Sequence, residues 1–164
     1  MDIIWEELII GLPDKRQLAR LMIRLAAAML LGAVIGAQRE RSGKPAGLRT
    51  HMLVSLGAAL FVLAPLEFGM NPESVSRVIQ GLITGIGFIG GGAILKLQEQ
   101  REIEGLTTAA GIWMTAAVGV AAGLGLLGLA LACTILAWAI LSVFGKIEYR
   151  LNEGQRRKRE DSDG

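Results

Sequence analysis

Residues 105–145 read GLTTAAGIWMTAAVGVAAGLGLLGLALACTILAWAILSVFG, about 41 consecutive positions without Asp, Glu, Lys, Arg or His. One membrane crossing needs roughly 20 apolar residues, so this stretch is long enough for two. Hydrocarbon offers no water to the backbone, and a helix satisfies its own N–H and C=O groups there. A soluble domain would have to bury the whole stretch, and the rest of the 164-residue chain offers too little amphipathic surface to do it. Composition agrees: 52% of the residues are apolar and the mean hydropathy is +0.48, above the about 45–50% apolar content of soluble chains.

Working outward from this stretch, charge-free windows give five spans: Leu21–Ala37, Met52–Leu66, Val78–Leu95, Leu106–Ala122 and Leu124–Phe144. The bare Gly123-Leu124-Gly125 is the turn between the last two. Arg24 interrupts the first span, and an arginine near a span end can snorkel to the headgroups. Ile3–Leu12 carries Glu6 and Glu7 and has no small-residue cleavage site, so it does not read as a signal peptide. Cys133 has no intramolecular partner, so disulfides play no part. The fold expected is an all-α membrane protein, a bundle of about five transmembrane helices. Residues 1–20 form an interfacial segment, 21–145 the transmembrane domain, and 146–164 a charged cytoplasmic tail without fixed structure.

The net charge of +2 is mild, and the basic residues flank the spans, which points to topology control and gives no support to nucleic-acid binding. Arg39, Arg41, Lys44 and Arg49 follow span one, Lys96 and Arg101 follow span three, and six more lie in the tail. With the N-terminus outside and the C-terminus cytoplasmic, twelve of the 17 basic residues face the cytoplasm. Lys15, Arg16 and Arg20 are the exception.

An internal echo runs at an offset of 58. Gly47-Leu48-Arg49-Thr50 recurs as Gly105-Leu106-Thr107-Thr108, Ala58-Ala59 as Ala116-Ala117, and Gly32 as Gly90. Spans one and two then correspond to spans three and four as a parallel repeat of two hairpins, an arrangement that in transporters frames a central site. Two unrelated Gly- and Ala-rich hairpins also match to this degree.

Span three contains Gly85-x-Gly87-x-x-Gly90, the spacing of a dinucleotide fingerprint. That motif needs a preceding strand, whereas these glycines lie inside an apolar segment. Gly32/Gly36, Gly81/Gly85, Gly87/Gly91 and Gly119/Gly123 instead form small-xxx-small pairs, which let helix backbones approach closely. An unwound stretch lining a cavity is the other reading. Gln80 and Thr84, one turn apart in span three, can bond between helices or line a pore. Trp113 and Trp138 read as packing residues, and the hydroxyls of Thr107 and Thr108 as caps for the first turn of span four.

The densest polar patch runs from Gln38 to His51. Its plain reading is a positive-inside loop turned by Pro45 and Gly47. Its functional reading is a cytoplasmic-edge cluster of Arg39, Glu40, Arg49, Thr50 and His51, joined through the repeat by Thr107 and Thr108. Arg49 could then accept an anionic headgroup or phosphate. No span carries an interior Asp or Glu. A dedicated Mg²⁺ site wants carboxylate oxygens, and ion-coupled carriers keep an ionisable group near the midplane. With neither a Cys/His cluster nor a nucleophile–base pair, the reading assigns no metal, no cofactor and no enzyme chemistry.

Four ordered motifs carry a family resemblance: Gly32-Ala33-Val34-Ile35-Gly36-Ala37-Gln38-Arg39-Glu40-Arg41, Lys44-Pro45-Ala46-Gly47-Leu48-Arg49-Thr50-His51, Gly85-Ile86-Gly87-Phe88-Ile89-Gly90-Gly91-Gly92 and Gly105-Leu106-Thr107-Thr108-Ala109-Ala110-Gly111-Ile112-Trp113. Over residues 20 to 145 the chain resembles the MgtC/SapB family of bacterial inner-membrane proteins. The resemblance implies a polytopic protein linked to growth in low magnesium and, in pathogens, to survival in macrophages. It also implies action by binding other membrane proteins, such as the proton-translocating ATP synthase, without carrying magnesium. Two positions of the pattern differ. Gln38 replaces the first residue of the usual Glu-Arg-Glu, and the tail stands where longer members have a soluble domain, so regulation through that domain is not expected. The expected protein is a homo-oligomer, with a dimer favoured, packed through the glycine faces of spans one and three. A small transporter or channel near Gln80, Thr84 and the span-three glycines is the alternative.

Overall fold

The computed structural model describes residues 14–97 and 102–144. Five α-helices are present there: α1 (Lys15–Arg41), α2 (Leu48–Glu67), α3 (Pro72–Gly92), α4 (Leu106–Gly123) and α5 (Leu127–Ala139). Helix α5 continues as a π-helical turn, Ile140–Phe144. Helices α1, α2 and α4 are each long and apolar enough to cross a membrane, and Leu127–Val143 forms a shorter apolar helix. Strands β1 (Leu95–Leu97) and β2 (Glu102–Glu104) pair antiparallel between α3 and α4, Lys96 opposite Ile103. The protein is therefore the expected all-α membrane bundle with one short ribbon added.

Local sequence sets the helix ends. Asp14 accepts the backbone N–H of Lys15 at 2.7 Å. Asn71 accepts that of Ser74 at 2.9 Å, with Pro72 as the first helical residue and Glu73 in the first turn, an arrangement that suits the free N–H groups and positive dipole end. The α4–α5 turn is made at Gly125, with φ +83°. Here α5 starts at Leu127, three residues later than the charge-free window placed it.

Packing radiates from α4, on which nine residues are buried, against three on α3. One apolar cluster joins Ala28 and Ile35 of α1, Ala59 of α2, Val118 and Ala122 of α4 and Ala130 of α5. A second joins Ala46, Ala58, Ile86, Ile112 and Ala116. Alanine dominates both because small side chains let helices approach where lipid is as apolar as the core. The glycines of α1 and α4 take this to its limit. A Cβ on Gly32 would lie 2.6 Å from the His51 carbonyl oxygen, and one on Gly119 would lie 2.3 Å from that of Ser55. The face of α1 expected to meet another protomer is thus occupied by α2 of the same chain.

The offset of 58 reappears in the structure. Helices α2 and α4 begin at Leu48 and Leu106, and Gly32 faces His51 as Gly90 faces Ala109. Both tryptophans expected in the packing are half-exposed, Trp113 at 50% and Trp138 at 47%, because α4 and α5 bury their smaller residues instead. The tail from 146, and residues 1–13 of the expected interfacial segment, lie outside the described residues. Residues 15–20 are continuous with α1.

Candidate functional site

Two apolar helices, α2 and α4, place their buried polar side chains on facing sides, and α1 adds an arginine. Arg39, in the last turn of α1, is only 3% exposed. One terminal nitrogen donates to the hydroxyl of Thr108 at 2.8 Å. The carbonyl end of α1 favours a cation in this turn, but the hydroxyl is a neutral partner. Thr108 is therefore an acceptor for an arginine and not the cap anticipated for it. Gly105 stands at the N-cap of α4 without a side-chain bond.

Two turns further along α4, Thr115 donates its hydroxyl to the Gly111 carbonyl at 2.8 Å. The same oxygen lies 2.7 Å from Nδ1 of His51, which is fully buried. A hydroxyl has one proton, so Nδ1 is the donor to Thr115. Gly36 and Gly111 make room for the ring: a Cβ on Gly36 would lie 3.0 Å from that of His51, and one on Gly111 3.6 Å from its Cε1. Ser55, one turn beyond His51, is also fully buried. The result is a polar column: Arg39 and Thr108 at the level where α1 ends, His51 and Thr115 below them, Ser55 deepest. Residues 108 and 115 are about 10 Å apart along α4 at 1.5 Å per residue.

The column is incompletely satisfied. Arg39 Nε, His51 Nε2, Ser55 Oγ and the neighbouring Gln38 Oε1 are buried without a hydrogen-bond partner among the described residues. Such atoms are few in native proteins and each calls for a partner. The set offers a donor at Arg39, a ring nitrogen at His51 and a hydroxyl that can donate or accept.

Glu40 does a different job. Its carboxylate accepts the backbone N–H of Leu48 at 2.8 Å, capping α2 from the neighbouring helix. Gly47 at the N-cap has no side chain to do so, and a Cβ there would lie 2.9 Å from that carboxylate. Gln38 turns the other way and donates to the Leu141 carbonyl at 3.0 Å. Consecutive residues of the Gln38-Arg39-Glu40 motif thus tie α1 to the π-helical turn after α5, to α4 and to α2. Of the remaining expected cluster members, Thr50 is half-buried, and Arg49 and Thr107 are exposed. The column needs instead Thr115 and Ser55, which sequence reading passed over. Their signal was spacing: His51/Ser55 and Thr108/Thr115 recur at four and seven residues, one helical face each.

Helix α3 presents the opposite situation. Its Val75, Ile86 and Gly90 are buried. Gln80, Gly81, Thr84, Gly85, Gly87 and Gly91 are all exposed, and Phe88 is 86% exposed. Nothing lies within 4 Å of where a Cβ on Gly81, Gly85, Gly87 or Gly91 would stand. The Thr84 hydroxyl donates to its own helix at the Gln80 carbonyl, 3.0 Å away. These residues lie on the outside of the bundle, so a path beside them needs a second chain to enclose it.

The described residues contain no group of three or more His, Cys, Asp or Glu placed to hold a metal ion. Comparison with known proteins places the chain among relatives of one family. The pattern of the MgtC family matches residues 25–150. SrpB of Synechococcus elongatus is 43% identical over 139 residues, which is 78% of this chain and 76% of SrpB. MgtC of Salmonella typhimurium is 41% identical over 132 residues, 80% of this chain and 55% of MgtC. YhiD of Escherichia coli K12, whose name provisionally describes a magnesium transporter, is 40% identical over 143 residues, 81% of this chain and 64% of YhiD. The chain thus spans little more than half the length of MgtC. No solved structure matches.

Proposed function

The chain belongs to the MgtC family, and from that premise we propose that it is a non-enzymatic inner-membrane protein that acts by docking other transmembrane helices on α3. The observation that carries the proposal is the exposed face of α3. A face bearing Gln80, Thr84 and four bare glycines is poorly suited to lipid and well suited to close helix approach, which hydrogen bonds from polar residues strengthen. A second copy of the chain is the first occupant, giving a dimer, and a partner membrane protein is the next. By family resemblance the ATP synthase is such a partner, and low magnesium the condition. The orientation proposed has the N-terminus outside and the column of Arg39 at the cytoplasmic end.

The column supports this reading over cation transport. Its buried charge is a guanidinium, which repels a dehydrated divalent cation. Cross-linking in native membranes, with Gly81→Leu and Gly85→Leu beside the unaltered chain, tests the proposal. Loss of cross-linked complexes in well-folded variants is the expected result, and unchanged complexes would sink it. Ion flux into liposomes carrying only this protein would instead establish the transporter reading, with the path enclosed between copies.

A further inference from the structure

At the end of the bundle away from Arg39, a cleft of about 390 Å³ is lined by Asp14, Arg16, Gln17, Arg20, Arg24 and Glu67. Its three arginines recur every four residues, so they form one ladder along α1. They run from the exposed start of the helix at Arg16 and Arg20 to half-buried Arg24, inside the membrane-length segment. In the proposed orientation these are also basic residues on the side that the positive-inside rule disfavours.

The lower rung is built into the fold. Arg24 donates to the Gly123 carbonyl at 3.2 Å, at the electronegative end of α4. It lies across Gly125, where a Cβ would come within 2.6 Å of the guanidinium. The two carboxylates of the cleft bond to neutral donors: Asp14 to the Lys15 N–H, and Glu67 to the side-chain amide of Gln17. Among the described residues neither carboxylate bonds to Arg16 or Arg20, which stand above a fixed third arginine with their like charges in one concavity. Leu21 lines the same cleft and Ile23 beside it is 57% exposed, which places hydrocarbon next to the charges.

We propose that this cleft binds the phosphodiester headgroup of an anionic, hydroxyl-bearing membrane lipid. Guanidinium forks at Arg16 and Arg20 match phosphate oxygens two at a time. Glu67, which repels a bare anion, can accept a headgroup hydroxyl. The adjacent apolar surface takes the start of the acyl chains. A free phosphate shares the anionic chemistry but gains nothing from Leu21 and Ile23.

The test uses the full-length chain, purified in detergent and titrated with phosphatidylglycerol, phosphatidylcholine or inorganic phosphate. The readouts are bound lipid by native mass spectrometry and the midpoint of thermal unfolding. Phosphatidylglycerol should bind and raise the midpoint, while the other two have little effect. Arg16→Gln with Arg20→Gln should weaken phosphatidylglycerol roughly thirtyfold, from the usual strength of two basic contacts to anionic lipid. Both positions are exposed, so the fold should persist, and Arg24 is left in place. Arg16→Lys with Arg20→Lys keeps the charge without the fork and should restore part of the preference. Equal retention by the Gln pair and the unaltered chain would overturn the site. An equal response to inorganic phosphate would overturn the lipid as its ligand.

Discussion

Helices α1 and α3 carry the same small-residue spacing, Gly32/Gly36 in one and Gly81/Gly85 in the other, yet they use it in opposite ways. In α1 the missing side chains are filled by α2, whose Leu48, His51 and Ser55 occupy the space. In α3 they open outward, with nothing within 4 Å. Spacing specifies that a helix can be approached closely. It does not say by what. The partner is decided by which face the rest of the sequence commits to the core, and in α3 that face is Val75, Ile86 and Gly90.

The contrast is most sharply tested where two helices pack most closely, α2 against α4 at Gly119. Gly119→Leu places carbon on the Ser55 carbonyl, 2.3 Å from even a Cβ, and should cost more than about 3 kcal/mol, beyond ordinary overpacking, because backbone has to move. Unfolding in detergent checks it, and a loss below about 1 kcal/mol would mean that α2 and α4 are not this close. Next, His51→Ala should cost about 2–4 kcal/mol by opening a cavity and removing the bond to Thr115.

Gly125→Ala tests the turn that admits Arg24. Its φ of +83° and the nearby guanidinium should together cost about 1–2 kcal/mol. At the small end, Gly81→Ala and Gly85→Ala should leave stability unchanged or raise it by up to about 1 kcal/mol each, since helix propensity improves and no neighbour is displaced. A loss of more than about 1 kcal/mol would erase the difference between the two helices.

Arg39→Met separates two roles for the column. It keeps the apolar stem and removes a buried charge whose side-chain partner among the described residues is a hydroxyl. Replacing buried charges by apolar groups is often neutral or stabilising. The variant should therefore unfold within about 1 kcal/mol of the unaltered chain; if the column also serves the proposed low-magnesium role, growth at low magnesium should fall while stability holds. If stability falls by several kcal/mol in step with the phenotype, Arg39 is a structural joint and no more.

Much of this was legible in the residues. A charge-free run of twice membrane length and the small-residue pairs were enough to read a helical membrane bundle of five helices, of which α1, α2 and α4 are long and apolar enough to cross. They also placed Arg39, Thr108 and His51 among the residues of interest. These are properties of segments, set by the local solvent and by the helix's need to satisfy its own backbone, so they can be read one segment at a time. Only the tertiary structure decided that Arg39 meets Thr108 while Glu40, beside it, caps α2. Only there do Thr115 and Ser55 join His51, whereas Arg49 and Thr107 face outward. The reason is physical. Neighbouring positions on a helix point about 100° apart, and which direction is inward depends on where the other helices lie.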